Sequence, residues 1–154
     1  MSERSRVVLI TGAAGDIGGA VALRLAADGC SVALTDHPAT GDRLAGLATS
    51  IVRDGGHAWH AASDVTDIGS LQTMVDQCCR SIGAPTGLFN SAGVQGSFVA
   101  IPDHDLAEAR QVMEVNVLGT LAVLEVVTAR MIAAGAGGAV VNAASMAGVS
   151  GAPN

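Results

Sequence analysis

The sequence predicts an α/β fold, a Rossmann-like doubly wound parallel sheet between two helical layers, formed by one domain over residues 1–154. Three observations predict it. Short β-branched and apolar runs alternate with longer segments of helical spacing, the signature of strands joined by crossover helices. Turn residues, mostly glycine and aspartate, mark the boundaries between them. The first apolar run passes directly into a glycine-rich turn and then into a helical pattern.

Taken in order, Arg6–Thr11 is a buried strand. Ile17–Asp28 is a helix with Ile17, Val21 and Leu25 on one face, Ala20 beside them, and Gly29 as its stop. Ser31–Thr35 is the second strand. Asp42–Asp54 is the second helix, closed by Gly55-Gly56, and His57–Ala62 is a weaker third strand. Asp67–Ile82 is the third helix, capped by Thr66 or Asp67 and ended by Gly83. Thr86–Asn90 is the fourth strand, Asp103–Ala134 a long helix capped by Asp103, and Gly138–Ala144 the fifth strand. Right-handed crossovers order these strands 3-2-1-4-5. The loop Ser150–Asn154 follows, where a sheet of this order normally continues into another helix and strand.

Composition narrows the function. A chain of 154 residues, 49% hydrophobic and 14% charged, has enough apolar side chain to form a real core. The net charge of −6, with no clustering of Arg and Lys, argues against nucleic-acid and anionic-membrane binding. No run of about 18 consecutive apolar residues suggests a membrane span, and Val7–Ile10 is too short for the core of a signal peptide. Cys30, Cys78 and Cys79 have no metal-ligand spacing, so reduced thiols and a cytoplasmic protein are expected, with Cys78 and Cys79 buried on their helix. His37, His57, His60 and His104 are scattered, so no metal site is expected. Trp59 is expected to pack near the third strand, and Met74, Met113 and Met131 in the helical core.

The chemistry begins at Thr11-Gly12-Ala13-Ala14-Gly15-Asp16-Ile17-Gly18. Glycines here let the backbone turn tightly and approach a pyrophosphate, toward which a helix start presents free N–H groups and the positive end of its dipole. Asp36 ends the second strand, 18 residues after Gly18. An acid in that position accepts hydrogen bonds from the adenosine ribose hydroxyls and repels a 2′-phosphate. Its successors are His37 and Pro38, with no Arg or Lys adjacent, so NAD is expected over NADP.

These residues resemble the classical short-chain dehydrogenase/reductase family, and the resemblance runs the length of the chain. Its glycine turn matches at Thr11, Gly12 and Gly18. Asp64-Val65 matches the pair that meets the adenine ring, and Asn90-Ser91-Ala92-Gly93 matches the family's Asn-Asn-Ala-Gly signature. Asn116 matches the asparagine of the long helix, and Ser145 after Val140–Ala144 matches the catalytic serine. The resemblance implies cofactor contacts at Gly12, Ala14, Gly15, Asp16, Ile17 and Gly18, at Asp36, Asp64 and Val65, and at Asn90, Ala92 and Gly93. Asp16 departs from the usual glycine; its carboxylate is expected to point away from the pyrophosphate or to cap the helix beginning at Ile17.

The resemblance further implies reversible hydride transfer between NAD(H) and a small-molecule alcohol/ketone pair. Ser145 would polarise the substrate oxygen, and Asn116 would hold a relay water at a local kink of its helix. The family's general acid is a Tyr in a Tyr-x-x-x-Lys motif expected a few residues past Asn154, and the chain contains no Tyr. The residues present are therefore expected to be inactive by themselves, and a dinucleotide-binding protein without chemistry is the alternative. A methyltransferase shares the glycine turn and the acid, but not Asn90–Gly93, Asn116 and Ser145 together. The long helix is apolar nearly all round, and the family uses it between subunits, which implies a homodimer or homotetramer. Val94–Pro102 is expected to line part of a substrate pocket whose preference the sequence does not specify.

Overall fold

The computed structural model describes residues 6–135 and 137–150. Among them run β1 (Val7–Thr11), α1 (Asp16–Ala27), β2 (Ser31–Thr35), α2 (Gly41–Arg53), β3 (His57–His60), α3 (Ile68–Ser81) and β4 (Gly87–Asn90). After these come α4 (Leu106–Met113), a π-helical segment (Glu114–Gly119), α5 (Thr120–Ala133) and β5 (Ala139–Asn142). All strand pairs are parallel, in the order β3-β2-β1-β4-β5, as the sequence predicts. The predicted closing loop falls, beyond Ser150, outside the described residues.

Alternation along the inner strands builds two cores. Leu9 and Ala33 face α3 and α5, where they join Leu71, Met74, Val75, Val123 and Val127. Ile10, Val32 and Leu34 face α1 and α2, where they meet Ala22, Ala26, Leu44 and Ile51. A sheet covered on both faces needs apolar residues at successive positions, which explains the unbroken runs VVLIT and SVALT.

The buried stripe of α1 is not the one its large side chains suggest. Gly18, Ala22 and Ala26 are buried, whereas Ile17 is 67% exposed. A Cβ on Gly18 would stand 2.2 Å from the Gly12 carbonyl oxygen, so the helix lies too close to the glycine turn for anything but small residues on that face. Of the two alternatives for Asp16, capping is corrected. Gly15 is the N-cap, without a side-chain cap bond, and Asp16 is the first residue of the helix.

Asp67 caps α3, its Oδ1 accepting from the backbone N–H groups of Gly69 (2.9 Å) and Ser70 (3.1 Å). Cys78 is buried on this helix, Cys79 partly so, and all three cysteines are free. The long helix begins later than predicted. Ile101–Asp103 forms a 3₁₀ turn around Pro102, and Asp105, not Asp103, is the cap of α4, accepting from the Ala107 N–H at 2.8 Å. Met113 is exposed rather than in the core; Met74 and Met131 are buried.

Leu106–Ala133 is long and apolar enough to cross a membrane by length and composition. Its C-terminal half instead buries Val123, Val126, Val127 and Met131 against the sheet, and Arg130 Nε bonds Asp76 Oδ1 of α3 at 2.8 Å. Leu106, Met113, Val117, Leu118 and Leu121 remain exposed, as do Val140 and Val141 on the edge strand β5.

Candidate functional site

The site is assembled at the C-terminal edge of the sheet, where parallel α/β folds gather the loops that follow their strands. Gly12 leaves β1 at φ +65°, and a Cβ there would lie 2.8 Å from the Ser91 carbonyl oxygen and 2.9 Å from the Ala92 nitrogen. Both the backbone conformation and the close approach therefore require glycine. The neighbouring loops are locked together by Thr11, a residue of the glycine-turn motif whose role is not evident from its sequence position. Its Oγ1 donates to Asn90 Oδ1 at 2.8 Å and accepts from the N–H groups of Ser91 (3.1 Å) and Ala92 (3.0 Å). Asn90 Nδ2 donates to the Thr120 carbonyl at 3.2 Å. Asn90 is thus a buried brace between β1, β4 and α5, with both ends of its amide satisfied inside the protein.

At the end of β2, Asp36 Oδ2 accepts from the Ala14 backbone N–H at 2.8 Å, and Oδ1 accepts from the His37 N–H at 2.7 Å. One carboxylate therefore fastens the glycine turn to β2. A cleft of about 450 Å³ opens beside it, a size typical of small-molecule sites. Of the residues expected to hold a cofactor, Gly12, Asp36, Asp64, Val65, Ala92 and Gly93 line this cleft. Ala14, Gly15, Asp16, Ile17 and Gly18 form the turn and helix start next to it. There the N–H groups of Ala13, Ala14 and Gly15 are taken by the Thr35 carbonyl, Asp36 Oδ2 and the Gly12 carbonyl. The first helical bond runs from Gly19 N–H to the Gly15 carbonyl at 2.9 Å, so Asp16, Ile17 and Gly18 have no i−4 carbonyl within the helix for their N–H groups. The Asp16 side chain is fully exposed, with Oδ1 3.9 Å from Arg43 Nη2, so its charge is directed into solvent.

The cleft has further lining that the sequence did not single out: Thr35, His37, Ser63, Thr66, Gln111, Glu114 and Val115. No short motif marks them, because they meet only when the strand ends converge. Asp64 Oδ1 accepts from Thr66 N–H (2.9 Å) and Thr66 Oγ1 (2.8 Å), and its Oδ2 lies 3.8 Å from His37 Nε2. The Thr66 backbone and hydroxyl bonds, with His37 contributing less, hold the Asp64 carboxyl below its ordinary value. His37 Nδ1 accepts from the Ala39 N–H at 3.2 Å, so the neutral ring carries its proton on Nε2, facing Asp64.

Asn116 lies in the π-helical segment, where the resemblance implied a kink. Its side chain closes a two-point clamp on Val94, Oδ1 accepting from the Val94 N–H at 2.8 Å and Nδ2 donating to the Val94 carbonyl at 2.9 Å. Glu108 holds the following loop, its Oε1 accepting from Ser97 N–H (3.1 Å) and Ser97 Oγ (2.8 Å). Ser145 follows β5 at the same sheet edge, outside the cleft. It is exposed, with Oγ accepting from the Ala147 N–H at 3.1 Å. Among the described residues no group of three or more side chains could hold a metal ion.

The profile of the short chain dehydrogenase family matches residues 6–154. The chain belongs to that family. Among similar proteins are the levodione reductase of Leifsonia aquatica, 33% identical over 97% of this chain and 55% of that protein, and the D-threitol dehydrogenase of Mycolicibacterium smegmatis, 36% identical over 92% and 53%. Among solved structures, the NAD+-bound xylitol dehydrogenase superposes with a TM-score of 0.91 at 38% identity, over 100% of this chain and 58% of that one. This short-chain dehydrogenase sequence thus spans between half and two thirds of the length of these relatives.

Proposed function

We propose that the protein is an NAD-dependent oxidoreductase that interconverts a small-molecule alcohol and its ketone. The observation that carries the proposal is Asp36, an acceptor at the end of β2 that lines the cleft and is bonded to the glycine turn. The cleft residues fit the adenosine half of a dinucleotide. Asp36 retains lone pairs for ribose hydroxyls, Asp64 and Val65 would border the base, and the N–H groups at the start of α1 would meet the diphosphate. The Thr35 hydroxyl, buried and without a partner, gives the floor an unused polar group.

Bound NAD(H) would supply the hydride acceptor or donor. The remaining roles fall to the chain. Asp36 would orient the ribose and disfavour a 2′-phosphate. The Asn116 clamp would hold Gly93 and Val94 in the cleft wall, and its backbone carbonyl, which already accepts from Thr120 Oγ1 at 2.8 Å, would offer its second lone pair to a relay water. Ser145 would exchange its bond from Ala147 for one to the substrate oxygen, and Val94–Pro102 would form part of the pocket wall. The proton-transfer Tyr that the family provides is not among these 154 residues. A second reading is that these residues bind the nucleotide and do no chemistry.

The proposal includes self-association through the exposed faces of α4 and α5, as a homodimer or homotetramer, with no nucleic-acid or membrane partner. Three free cysteines accord with a cytoplasmic location. The test is calorimetric titration with NAD+ and NADP+, together with NADH-linked assays over a panel of secondary alcohols and ketones. Nucleotide binding with turnover supports the oxidoreductase reading, binding without turnover supports the second reading, and no binding refutes both.

A further inference from the structure

Thr35 ends β2 on the face turned toward α3 and α5, one residue before Asp36. It lines the cleft yet is only 1% exposed, and its Oγ1 is the one buried side-chain polar atom among the described residues with no hydrogen-bond partner. Buried hydroxyls nearly always find a partner, because leaving one unmade sacrifices its bond to water. The surroundings make the omission more pointed. Thr11, paired with Thr35 in register on β1, has its hydroxyl fully engaged with Asn90, Ser91 and Ala92. Ser63, also buried in the cleft lining, has its Oγ 3.0 Å from Ser70 Oγ. Valine has nearly the same shape as threonine and buries no hydroxyl, so packing alone does not account for the hydroxyl.

We infer that Thr35 is a further nucleotide-recognition residue, whose hydroxyl bonds the adenosine half of the ligand from the floor of the cleft. The inference rests on the dinucleotide reading above and adds to it a contact that neither the glycine turn nor Asp36 provides. Solvent does not reach the hydroxyl in the conformation described. The side chain as a whole is only 1% exposed, so the bond forms when the cleft floor shifts on ligand binding and χ1 turns by one staggered step to bring the hydroxyl into it. Adenosine is the fitting class because Thr35 lines the same cleft as Asp36, proposed for the ribose, and Asp64-Val65, proposed for the base. The hydroxyl can donate to a purine ring nitrogen or a ribose oxygen and still accept a bond.

The experiment compares wild type, Thr35→Val and Thr35→Ser for binding of NAD+, AMP and nicotinamide mononucleotide, with thermal unfolding of each nucleotide-free protein. Thr35→Val is expected to weaken NAD+ and AMP alike by roughly 3- to 10-fold, the effect of one ordinary hydrogen bond, and to leave nicotinamide mononucleotide unchanged. The same variant is expected to melt at or above the wild-type temperature, since it removes an unsatisfied buried group, which separates loss of a contact from damage to the fold. Thr35→Ser is expected to retain affinity. If wild type binds NAD+ and AMP while Thr35→Val binds them equally well, the inference is overturned and the dinucleotide reading stands. If wild type binds neither, that reading falls and the inference falls with it.

Discussion

Asp36 and Ala14, 22 positions apart in sequence, are joined by a 2.8 Å hydrogen bond from the Ala14 N–H to Asp36 Oδ2. The acid that would choose the cofactor is therefore also the residue that holds the glycine turn in place. Its two functions separate by substitution. Asp36→Asn keeps an oxygen for the Ala14 N–H but removes the charge, whereas Asp36→Ala removes both. Calorimetric titration is expected to show NADH binding weakened roughly 10- to 100-fold by alanine, the range of a lost charged hydrogen-bond set, and less by asparagine. Both substitutions are expected to narrow the preference against NADPH. Equal affinities for NADH in wild type and Asp36→Ala would remove Asp36 from the site.

Gly18 sets how closely α1 approaches β1. A Cβ at this position meets the Gly12 carbonyl oxygen at 2.2 Å and the Gly12 carbonyl carbon at 2.8 Å, and backbone cannot swing aside as a side chain can. Gly18→Ala is expected to cost at least about 1–3 kcal/mol in denaturant unfolding, as overpacking does, and to weaken nucleotide binding by moving the helix start. Gly46→Ala, on α2 with nothing within 4 Å of its added Cβ, is the matched control and is expected to be neutral or slightly stabilising.

Asn116 holds Val94 at both its N–H and its carbonyl. Asn116→Ala is expected to cost about 1–2 kcal/mol, two ordinary hydrogen bonds, and to accelerate amide exchange at Val94 while leaving the β1 amides protected. Unchanged exchange at Val94 would show that the clamp does not hold the loop in solution.

Two groups give the fold opposite responses to pH. Hydrogen bonds from Thr66, with a smaller contribution from His37, lower the Asp64 carboxyl below the ordinary 3.8, so its stabilising contribution is present above that value and is lost as pH falls through the lowered one. Burial, with a smaller contribution from Cys79, pushes the Cys78 thiol up to about 12 from 9.0. Its contribution is whole below about pH 9 and is lost as pH rises from there through about 12. Unfolding curves over pH are expected to show Asp64→Ala flattening the acid limb and Cys78→Ala flattening the alkaline one. No change in either limb would contradict these assignments.

The sheet order and the glycine turn were legible because they depend on local pattern: alternation of element types, a glycine after a strand, an acid at the next strand's end. Asp67 was legible as a cap because its own side chain performs the capping. What was not legible depended on how closely elements meet. The sequence offers Ile17, Val21 and Leu25 as the obvious buried face of α1, and only the 2.2 Å approach at Gly18 explains why the small residues are buried instead. Pro102 draws Ile101–Asp103 into a separate turn, so the cap falls to Asp105. Thr35, Ser63 and Gln111 enter the cleft from the end of β2, the loop after β3 and α4, which no linear motif connects. Asn90, read as a cofactor contact, lies 3% exposed with its amide engaged by Thr11 and Thr120, an arrangement only the long-range hydrogen bonds reveal.

Asp36 is proposed as the arbiter of NAD binding in this cleft, and these 154 residues contain no Tyr to serve as the family's proton-transfer group. The most direct measurement is one equilibrium titration of the 154-residue chain with NADH and with NADPH, followed by a secondary-ketone assay on the same sample. Saturable NADH binding is expected, with NADPH weaker by at least about tenfold through repulsion of its 2′-phosphate, and no turnover above background, a general acid being worth ~10²–10⁴-fold. Preference for NADPH, or robust turnover by the 154-residue chain, would contradict it.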